Sequence, residues 1–416
     1  MHTQVWQIRL VVSLLVLLSG LLGLPRPGPA HAAEFTCAAG DVACLIEAIT
    51  QANSNGVANT IALEAGTYTL TEVNNNTDGP NGLPSVTGIV TIQGAGVDAT
   101  ILERDTSAPS FRLVHVAAAG TLTLEGLTLR RGSVSLVRLS GGGIFNAGTL
   151  SLSRTGVANN GAEIGGGLAN GGGTVTIAAT TFVGNVGGHP GGGLANDGGT
   201  VTMTTTTFAN NFAPSGGGLQ NSEGTVILTN SALVRNAADA GPGLENVNGT
   251  VVLINSTIAH NGGARFAGVG LRNAGGTVIL TNSTVADNRA AASGGGLSNV
   301  QGTVVLTNTI LARNQVLAGG TGPDCLGPVT SLGTNLVGDP TGCTITLQPT
   351  DLTGDPGLGD FTDDGTPGNG HVPLLPGSQA IDAANEAFCP PTDQLGQPRV
   401  GPCDIGAVEF QGTHPK

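Results

Sequence analysis

The sequence has very little aromatic surface and almost no lysine. Its 416 residues include one tryptophan, Trp6, one tyrosine, Tyr68, and one lysine, Lys416, which stands in the tail. Flat aromatic rings are the usual platforms for stacking on sugars, and lysine is one of the bases that abstract protons in enzymes. Both shortages argue against an enzyme that acts on carbohydrate.

The first 32 residues have the pattern of a secretory signal peptide. Arg9 precedes an apolar run from Leu10 to Leu24, and Ala30-His31-Ala32 forms a small-x-small cleavage site. The apolar run is short and interrupted by glycine, unlike a membrane-spanning helix. We therefore expect the mature chain to be secreted, outside the cell or at its surface, with no membrane span after cleavage.

Charged residues make up only 10% of the chain and are mostly acidic. Without Arg9 and Arg26 of the leader, 13 basic residues stand against 28 acidic ones, which gives a formal charge of −15. Such a chain is repelled by nucleic acid and by anionic membrane surfaces. We therefore expect neither as a partner, whereas cations are attracted.

Seven copies of one repeat fill residues 141 to 314, and the clearest copy reads GGGLQNSEGTVILTNSALVRN, from Gly216 to Asn236. The first asparagine of each copy recurs every 24 to 27 residues, at Asn146, Asn170, Asn196, Asn221, Asn246, Asn273 and Asn299. One copy cannot bury its own apolar side chains, so repeats of this length stack as coils.

Each copy holds a Thr-Val-x-Leu segment whose second and fourth residues lie on one face of a strand. These residues are apolar in every copy and predict two core columns: Leu150, Val175, Val201, Val226, Val251, Val278 and Val304, and Leu152, Ile177, Met203, Leu228, Leu253, Leu280 and Leu306. Glycines and asparagines are expected at the corners, because they tolerate positive φ.

The GGGL and [FLIV]xxN pair, as at Phe182 to Asn185 and Phe208 to Asn211, resembles the GGA[IL] and FxxN repeats of chlamydial polymorphic outer membrane proteins. Those proteins form right-handed parallel β-helices. The resemblance implies that this chain is an all-β, right-handed parallel β-helix of about a dozen coils, with residues 141–320 as its seven-repeat body.

Residues 33–140 are expected to form the N-terminal cap and the first coils. Asp41 can N-cap a short helix that lies over the first coil. The apolar residues of that helix are Leu45, Ile46, Ala48 and Ile49. The run CLIEAITQAN resembles the CSLREA motif that opens many bacterial β-helix surface proteins, with its cysteine one place closer to the glutamate than in the motif.

Residues 321–416 carry three recognisable segments. They are LLPGSQAIDAAN from Leu374 to Asn385, DQLGQPR from Asp393 to Arg399, and CDIGAVEF from Cys403 to Phe410. Together they resemble the choice-of-anchor Q domain, a module found behind β-helices on bacterial surface proteins. The resemblance implies a C-terminal cap on a protein of the cell surface.

All six cysteines lie outside the repeats, and in a secreted chain they should pair. Their spacing favours the pairs Cys37 with Cys44, Cys325 with Cys343, and Cys389 with Cys403, although six cysteines allow 15 pairings. The ends of a β-helix expose strand edges that must be capped. We expect the disulfides to hold these irregular caps together.

One column of ionisable residues is expected on consecutive coils, just before the closing asparagine of each copy: Arg235, His260, Asp287 and Arg313. As candidate catalytic residues they would form an acid–base site in which Asp287 orients His260. The alternative is a charge ladder in which Asp287 pairs with Arg313, each exposed contact contributing under ~1 kcal/mol. We favour the ladder, because no catalytic motif accompanies the column.

A candidate metal site lies in the segment DFTDDGTPGNG. Asp360, Thr362 and Asp364 alternate before Gly365, as at the start of a calcium loop. His371 then occupies the place of the closing glutamate, so an acidic turn is the alternative. Asp360 and Asp364 are candidate calcium ligands, and no other cofactor is expected.

The outward positions of the Thr-Val-x-Leu strands turn apolar after the third coil. The residues concerned are Ile227, Val252, Ile279 and Val305. An exposed stripe of β-branched side chains is an association site. We expect either the C-terminal module or a partner chain to cover it.

These observations predict a secreted or cell-surface protein that is structural or adhesive, contacts an extracellular polysaccharide or another surface partner, and catalyses nothing. The alternative is a polysaccharide lyase or glycoside hydrolase, because β-helices also serve such enzymes and fold alone does not decide. Those enzymes need loops that wall a cleft. The loops between repeats have at most 6 residues, which favours the non-catalytic function.

Overall fold

The computed structural model describes residues 34–134, 139–263, 270–317 and 319–412, so the predicted signal peptide lies outside the described residues. The chain begins there with strand β1 (Glu34–Cys37) and helix α1 (Val42–Asn55). At 14 residues, α1 is too short to span a bilayer. Among the described residues, no helix is long and apolar enough to do so.

Helix α1 caps the N-terminal end of the core. The Asp41 carboxylate accepts a hydrogen bond from the Cys44 backbone N–H at 2.9 Å, which satisfies one free donor of the first turn. The buried side chains of α1, Leu45, Ala48, Ile49 and Ala52, pack onto the first coils. The predicted helical cap is therefore present, with Ile46 only partly buried.

The remaining strands form a parallel β-helix, as predicted. One 27-stranded sheet winds around the core through about 11 turns, and two short two-stranded sheets stand beside it. Each coil has three faces, and sequential coils pair in parallel across each face.

The first face carries the GGGLxN segments: β6 (Val114–Val116), β8 (Ile144–Asn146), β11 (Leu168–Gly171), β14 (Leu194–Asp197), β16 (Leu219–Ser222) and β19 (Leu244–Val247). The second face carries the Thr-Val-x-Leu segments: β1, β2 (Ala58–Leu63), β4 (Ile89–Gln93), β17 (Thr225–Thr229) and β20 (Thr250–Ile254). The third face precedes the closing asparagines: β3 (Gly66–Leu70), β5 (Thr100–Arg104), β18 (Ala232–Val234), β21 (Thr257–Ala259), β23 (Thr284–Ala286), β26 (Ile310–Ala312), β29 (Leu336–Val337) and β31 (Leu352–Thr353).

Longer strands continue around a corner of the coil. Four run from the second face to the third: β7 (Thr121–Arg130), β9 (Thr149–Ala158), β12 (Thr174–Val183) and β15 (Thr200–Ala209). Three run from the first face to the second: β22 (Leu271–Thr281), β25 (Leu297–Thr307) and β28 (Cys325–Ser331), the last of which pairs with β30 (Cys343–Ile345). The short sheets are β10 (Gly161–Ala162) with β13 (Val186–Gly187), and β24 (Arg289–Ala290) with β27 (Gln315–Val316).

The core consists of like residues stacked on like. Val175 pairs with Val201, and Ile177 with Met203, so the two predicted columns lie inside the helix with almost no exposed surface. Phe182 and Phe208 stack with their ring centroids 4.6 Å apart. Because each coil presents the same side chain at the same place, the apolar surface of one coil is covered by the next.

Two ladders of buried asparagine fix the corners. In the first ladder, each Asn Nδ2 donates to the Oδ1 of the equivalent asparagine on the next coil, from Asn146 through to Asn299, at 2.7–3.0 Å. In the second ladder the closing asparagines, Asn160 to Asn314, do the same at 2.9–3.1 Å. Asp324 ends the second ladder, because its carboxylate accepts from Asn314 Nδ2 at 2.9 Å.

A C-terminal segment, residues 354–412, folds back over the third face. It contains the 3₁₀ helix η1 (Glu386–Phe388) and short antiparallel bridges such as Thr362 with His371. Its apolar side chains Leu358, Val372, Leu374, Ala380 and Ile405 pack on outward residues of the third face, Ala232, Val234, Ala259, Ala286, Ile310 and Ala312. The stripe from Ile227 to Val305 on the second face stays half-buried. The C-terminal module therefore covers the third face and not the stripe on the second, and the alternative, that a partner chain covers the stripe, stays a prediction.

The disulfides are the three pairs favoured by the spacing. Cys37–Cys44 joins β1 to α1, Cys325–Cys343 joins β28 to β30, and Cys389–Cys403 closes a loop within the C-terminal segment. All six cysteines of the described residues are thus bonded. Each disulfide therefore lies in a cap or in the C-terminal segment, outside the repeats.

Asn211→Ala tests the second ladder. The Asn211 amide accepts from the Asn185 backbone and side-chain amides and donates to Phe182 O and Asn236 Oδ1, each at 3.0 Å. Alanine leaves these buried groups without partners, so we expect the free energy of unfolding in urea to fall by roughly 3 kcal/mol or more. The neighbouring exposed Asn210, at φ 55°, is the control. Asn210→Gly should change stability by less than about 0.5 kcal/mol, and equal losses in both variants would contradict the ladder's importance.

Candidate functional site

The predicted charged column lies on a corner where every residue has left-handed backbone. The residues just before the closing asparagines, here called the corner column, all have positive φ: Asn159 54°, Gly184 65°, Asn210 55°, Arg235 54°, His260 56°, Asp287 58° and Arg313 59°. This conformation costs a residue other than glycine about 1–2 kcal/mol. Glycine, asparagine, aspartate and histidine tolerate this conformation better than arginine does. Arg235 and Arg313 are therefore the strained positions, which indicates that their side chains have a role.

Phe361 of the C-terminal segment contacts Arg235 and His260 of the corner column. The Arg235 guanidinium carbon lies 4.9 Å from the centroid of the Phe361 ring. The His260 ring meets the same ring edge-on, with centroids 5.1 Å apart. A cation over an aromatic face and an edge-to-face ring pair are both attractive. Arg235 and His260 therefore hold one phenyl ring of the C-terminal segment.

Arg313 clamps the next part of that segment. Its guanidinium donates to Leu358 O at 2.7 Å and to Gly359 O at 3.0 Å. On its other side Arg313 forms a two-pronged ion pair with Asp287, with Nε 3.0 Å from Oδ1 and Nη2 bonded to Oδ2. Paired bonds of this kind fix the orientation of the guanidinium. Asp287 thus aims Arg313 at the two backbone carbonyls.

This arrangement differs from an acid–base pair. The Asp287 carboxylate accepts hydrogen bonds from Arg313, and within the described residues no hydrogen bond joins Asp287 to His260. Burial lowers the pKa of His260, with Asp287 acting in the opposite direction and Arg235 and Arg313 reinforcing the decrease. His260 is accordingly neutral near pH 7 and packs on Phe361 as a ring.

An open cavity of about 560 Å³ remains between the column and the segment. It is lined by His260, Asp287, Arg313, Asn314, Gln315, Asp360 and Phe361. The fold therefore brings one candidate calcium ligand, Asp360, to three of the column residues. Sequence reasoning missed Phe361, since nothing in the repeat pattern marks which phenylalanine of the C-terminal segment meets the column.

Asp364, the other candidate calcium ligand, stabilises a turn. Its Oδ1 accepts from the Thr366 backbone N–H at 2.9 Å, and its two oxygens accept from Asn369 Nδ2 at 3.2 and 3.1 Å. These hydrogen bonds lower the pKa of Asp364. The described residues contain no group of three or more His, Cys, Asp or Glu side chains placed to hold a metal ion.

Three more open cavities lie at the same corner. Two of them, of about 340 and 500 Å³, are side by side and share Gly161 and Val186 in their linings. The third, of about 460 Å³, spans the coils from Phe212 to Arg289, and the cavity beside Phe361 overlaps its last coils. Small residues at the turns, such as Gly161 and Gly262, make the corner concave at intervals.

The C-terminal segment is itself held by buried charges. Arg399 Nη1 pairs with Glu409 Oε2 at 2.9 Å, and both side chains are almost fully buried. Asp404 is fully buried beside them and accepts from the Asp382 N–H at 2.8 Å and the Phe410 N–H at 2.6 Å. Burial raises the pKa of Asp404 to about 6, against the effect of these hydrogen bonds.

No family model and no curated protein matches this chain. Among solved structures, the chain is similar to pectate lyase Pel9A, with a TM-score of 0.53 and 16% identity over 92% of this chain and 97% of that one. The A-module of the mannuronan C-5 epimerase AlgE4 from Azotobacter vinelandii is also 16% identical, with a TM-score of 0.41 over 76% of this chain and 94% of that one. At this identity the first likeness shows a shared β-helix fold.

Phe361→Ala tests whether the column holds the C-terminal segment. The half-buried ring is the contact of Arg235 and His260, so its loss should destabilise the segment by about 1–3 kcal/mol. Hydrogen exchange in residues 354–375 should then become faster, while exchange in the core columns stays slow. The control is Phe388→Ala, because the Phe388 side chain is 47% exposed. Unchanged exchange in Phe361→Ala would show that the ring does not hold the segment.

Asp404 makes stability depend on pH. Its pKa is raised to about 6 in the folded chain from about 3.9 in an unfolded one, so the folded state binds the extra proton. Its contribution is fully present below about pH 4 and is lost as pH rises through about 6, on the order of 2–3 kcal/mol. Because asparagine resembles the protonated carboxyl group, Asp404→Asn should melt near the wild-type temperature at pH 4 and increasingly above it as the pH rises to 8. Parallel melting curves over that range would refute the assignment.

Proposed function

We propose that this chain is a secreted or cell-surface β-helix that binds extracellular polysaccharide along one corner and does not cleave it. The observation that carries the proposal is the set of open cavities that together cover this corner from the coil of Arg104 to the coil of Arg313. A small ligand needs one enclosed pocket, whereas a linear polymer fits a series of shallow sites in line. The role is adhesive or structural.

The absence of cleavage rests on how the charged groups are used. Retaining and inverting hydrolysis need two carboxyl groups facing one bond, and elimination needs a free base. Asp287 is held by Arg313, and Arg313 in turn donates to Leu358 O and Gly359 O. The column is therefore engaged in holding the covering segment.

Location outside the cell is supported by several features. Three disulfides fit an oxidising environment, and the leader pattern predicts export. The resemblances to the polymorphic outer membrane repeats and to the choice-of-anchor Q domain favour a bacterial surface. The likeness to a pectate lyase concerns the fold and makes acidic plant glycans a sensible part of any test panel.

The test is to incubate residues 33–416 with acidic and neutral polysaccharides, with and without calcium. We expect retention on at least one glycan, without new reducing ends and without the ultraviolet absorbance of unsaturated uronates. Cleavage that disappears in Asp287→Asn would instead support a lyase or hydrolase. If no glycan is retained or cleaved, the proposal is wrong and a purely structural coat protein is the better description.

A further inference from the structure

A groove with two unlike ends lies on the corner, one residue beyond the closing asparagines. Val186, Phe212, Ala237, Gly262 and Arg289 occupy this position on successive coils and are joined by parallel bridges. Ala237 and Gly262 have little or no side chain, so a depression of about 460 Å³ opens between the larger Phe212 and Arg289. Three coil steps at ~4.8 Å place these two residues ~14 Å apart along the axis. The groove is thus long enough for an extended oligomer.

Phe212 gives one end of the groove an apolar surface. Its side chain is 50% exposed, in a chain that has only ten phenylalanines. Leu317, 42% exposed, lines the same groove. A half-exposed phenyl ring offers the flat apolar face on which the C–H face of a sugar ring packs. The rarity of exposed rings in this chain makes the position of Phe212 informative.

Arg289 gives the other end a free positive charge. Six other arginines of the described residues pair with carboxylates: Arg130, Arg131, Arg154, Arg272, Arg313 and Arg399. Arg104 and Arg112 bond to backbone oxygens, and Arg235 lies on Phe361. Within those same residues Arg289 is exposed and its guanidinium has no ion pair, hydrogen bond or ring contact. The chain as a whole is acidic and repels polyanions at long range, so an anionic sugar is bound only where a cation stands free. An unpaired guanidinium binds a carboxylate there in a forked, two-bond contact.

We propose that the groove from Phe212 to Arg289 binds a stretch of an acidic polysaccharide, with one sugar ring on Phe212 and a uronate carboxylate on Arg289. Asp239, which also lines the groove, accepts hydrogen bonds from sugar hydroxyls and repels a carboxylate placed beside it. The charge pattern therefore fixes where the carboxylate lies. This inference rests on the proposed polysaccharide binding and narrows it to glycans that contain uronic acids.

The test compares polygalacturonate with its fully methyl-esterified form, in the presence of a chelator and at fixed salt. The two polymers share their rings and differ in carboxylate charge. We expect the wild type to bind polygalacturonate roughly tenfold more tightly than the ester, a factor typical of one charge-assisted contact. Arg289→Gln should abolish this preference, whereas Phe212→Ala should weaken both polymers by a similar factor. Both positions are exposed, so unchanged melting temperatures would confirm folding.

Arg154→Gln is the matched control. Arg154 is exposed at the corner between the second and third faces and pairs with Glu125, so the substitution changes net charge equally without touching the groove. An equal loss of affinity in Arg154→Gln would show that only overall charge matters, and unchanged affinity in Arg289→Gln would also overturn the site. If other glycans are retained but polygalacturonate is not, polysaccharide binding stands and the uronate groove is wrong. If no glycan at all is retained, both are wrong.

Discussion

The buried amide ladders are the interaction on which the rest of this structure depends. An apolar core of stacked valines and leucines could slip by a residue or tilt, because apolar contacts have no direction. A buried amide cannot, since each unmet donor or acceptor costs about 1–3 kcal/mol. Asn211 alone joins three successive coils, through Asn185 on one side and Asn236 on the other. The ladders therefore fix the register, and the register makes every column on the surface straight.

Straight columns allow distant parts of the chain to meet repeatedly. The covering segment touches the corner column at Arg235, His260 and Arg313, which are separated in sequence but lie on neighbouring coils. On the opposite side of the third face, Asn255 and Asn308 donate to the same segment at Thr392 O and Asn385 O. The left-handed backbone is strained for arginine at Arg235 and Arg313, and the contacts with the segment offset that strain. Within the seven repeats, arginine enters the corner column only on coils that the segment contacts.

The repeat made much of this fold predictable. The Leu150 and Leu152 columns, the corner asparagines and the Asp41 cap each follow from a local pattern read seven times or from a single strong propensity. The covering segment has no period, so the sequence could not tell which face it packs on. Phe361 is one of ten phenylalanines, and only the folded chain places it on Arg235. The groove at Phe212 could not be predicted from the sequence either. A concave surface forms where small residues such as Gly262 lie between large ones on neighbouring coils, and this depends on the folded structure.

The ladders also have a direction. Each asparagine donates toward the C-terminal end and accepts from the other, beginning at Asn146 and, in the second ladder, ending on the Asp324 carboxylate, which can only accept when ionised. A repeat duplicated or deleted between the ends leaves every remaining donor with an acceptor. On the coils that precede those contacted by the C-terminal segment, the length of the protein can thus change in whole steps of ~4.8 Å without redesign of either cap. In the cell-surface role proposed above, the number of repeats would set the length of the molecule, and gene duplication would change that length one coil at a time.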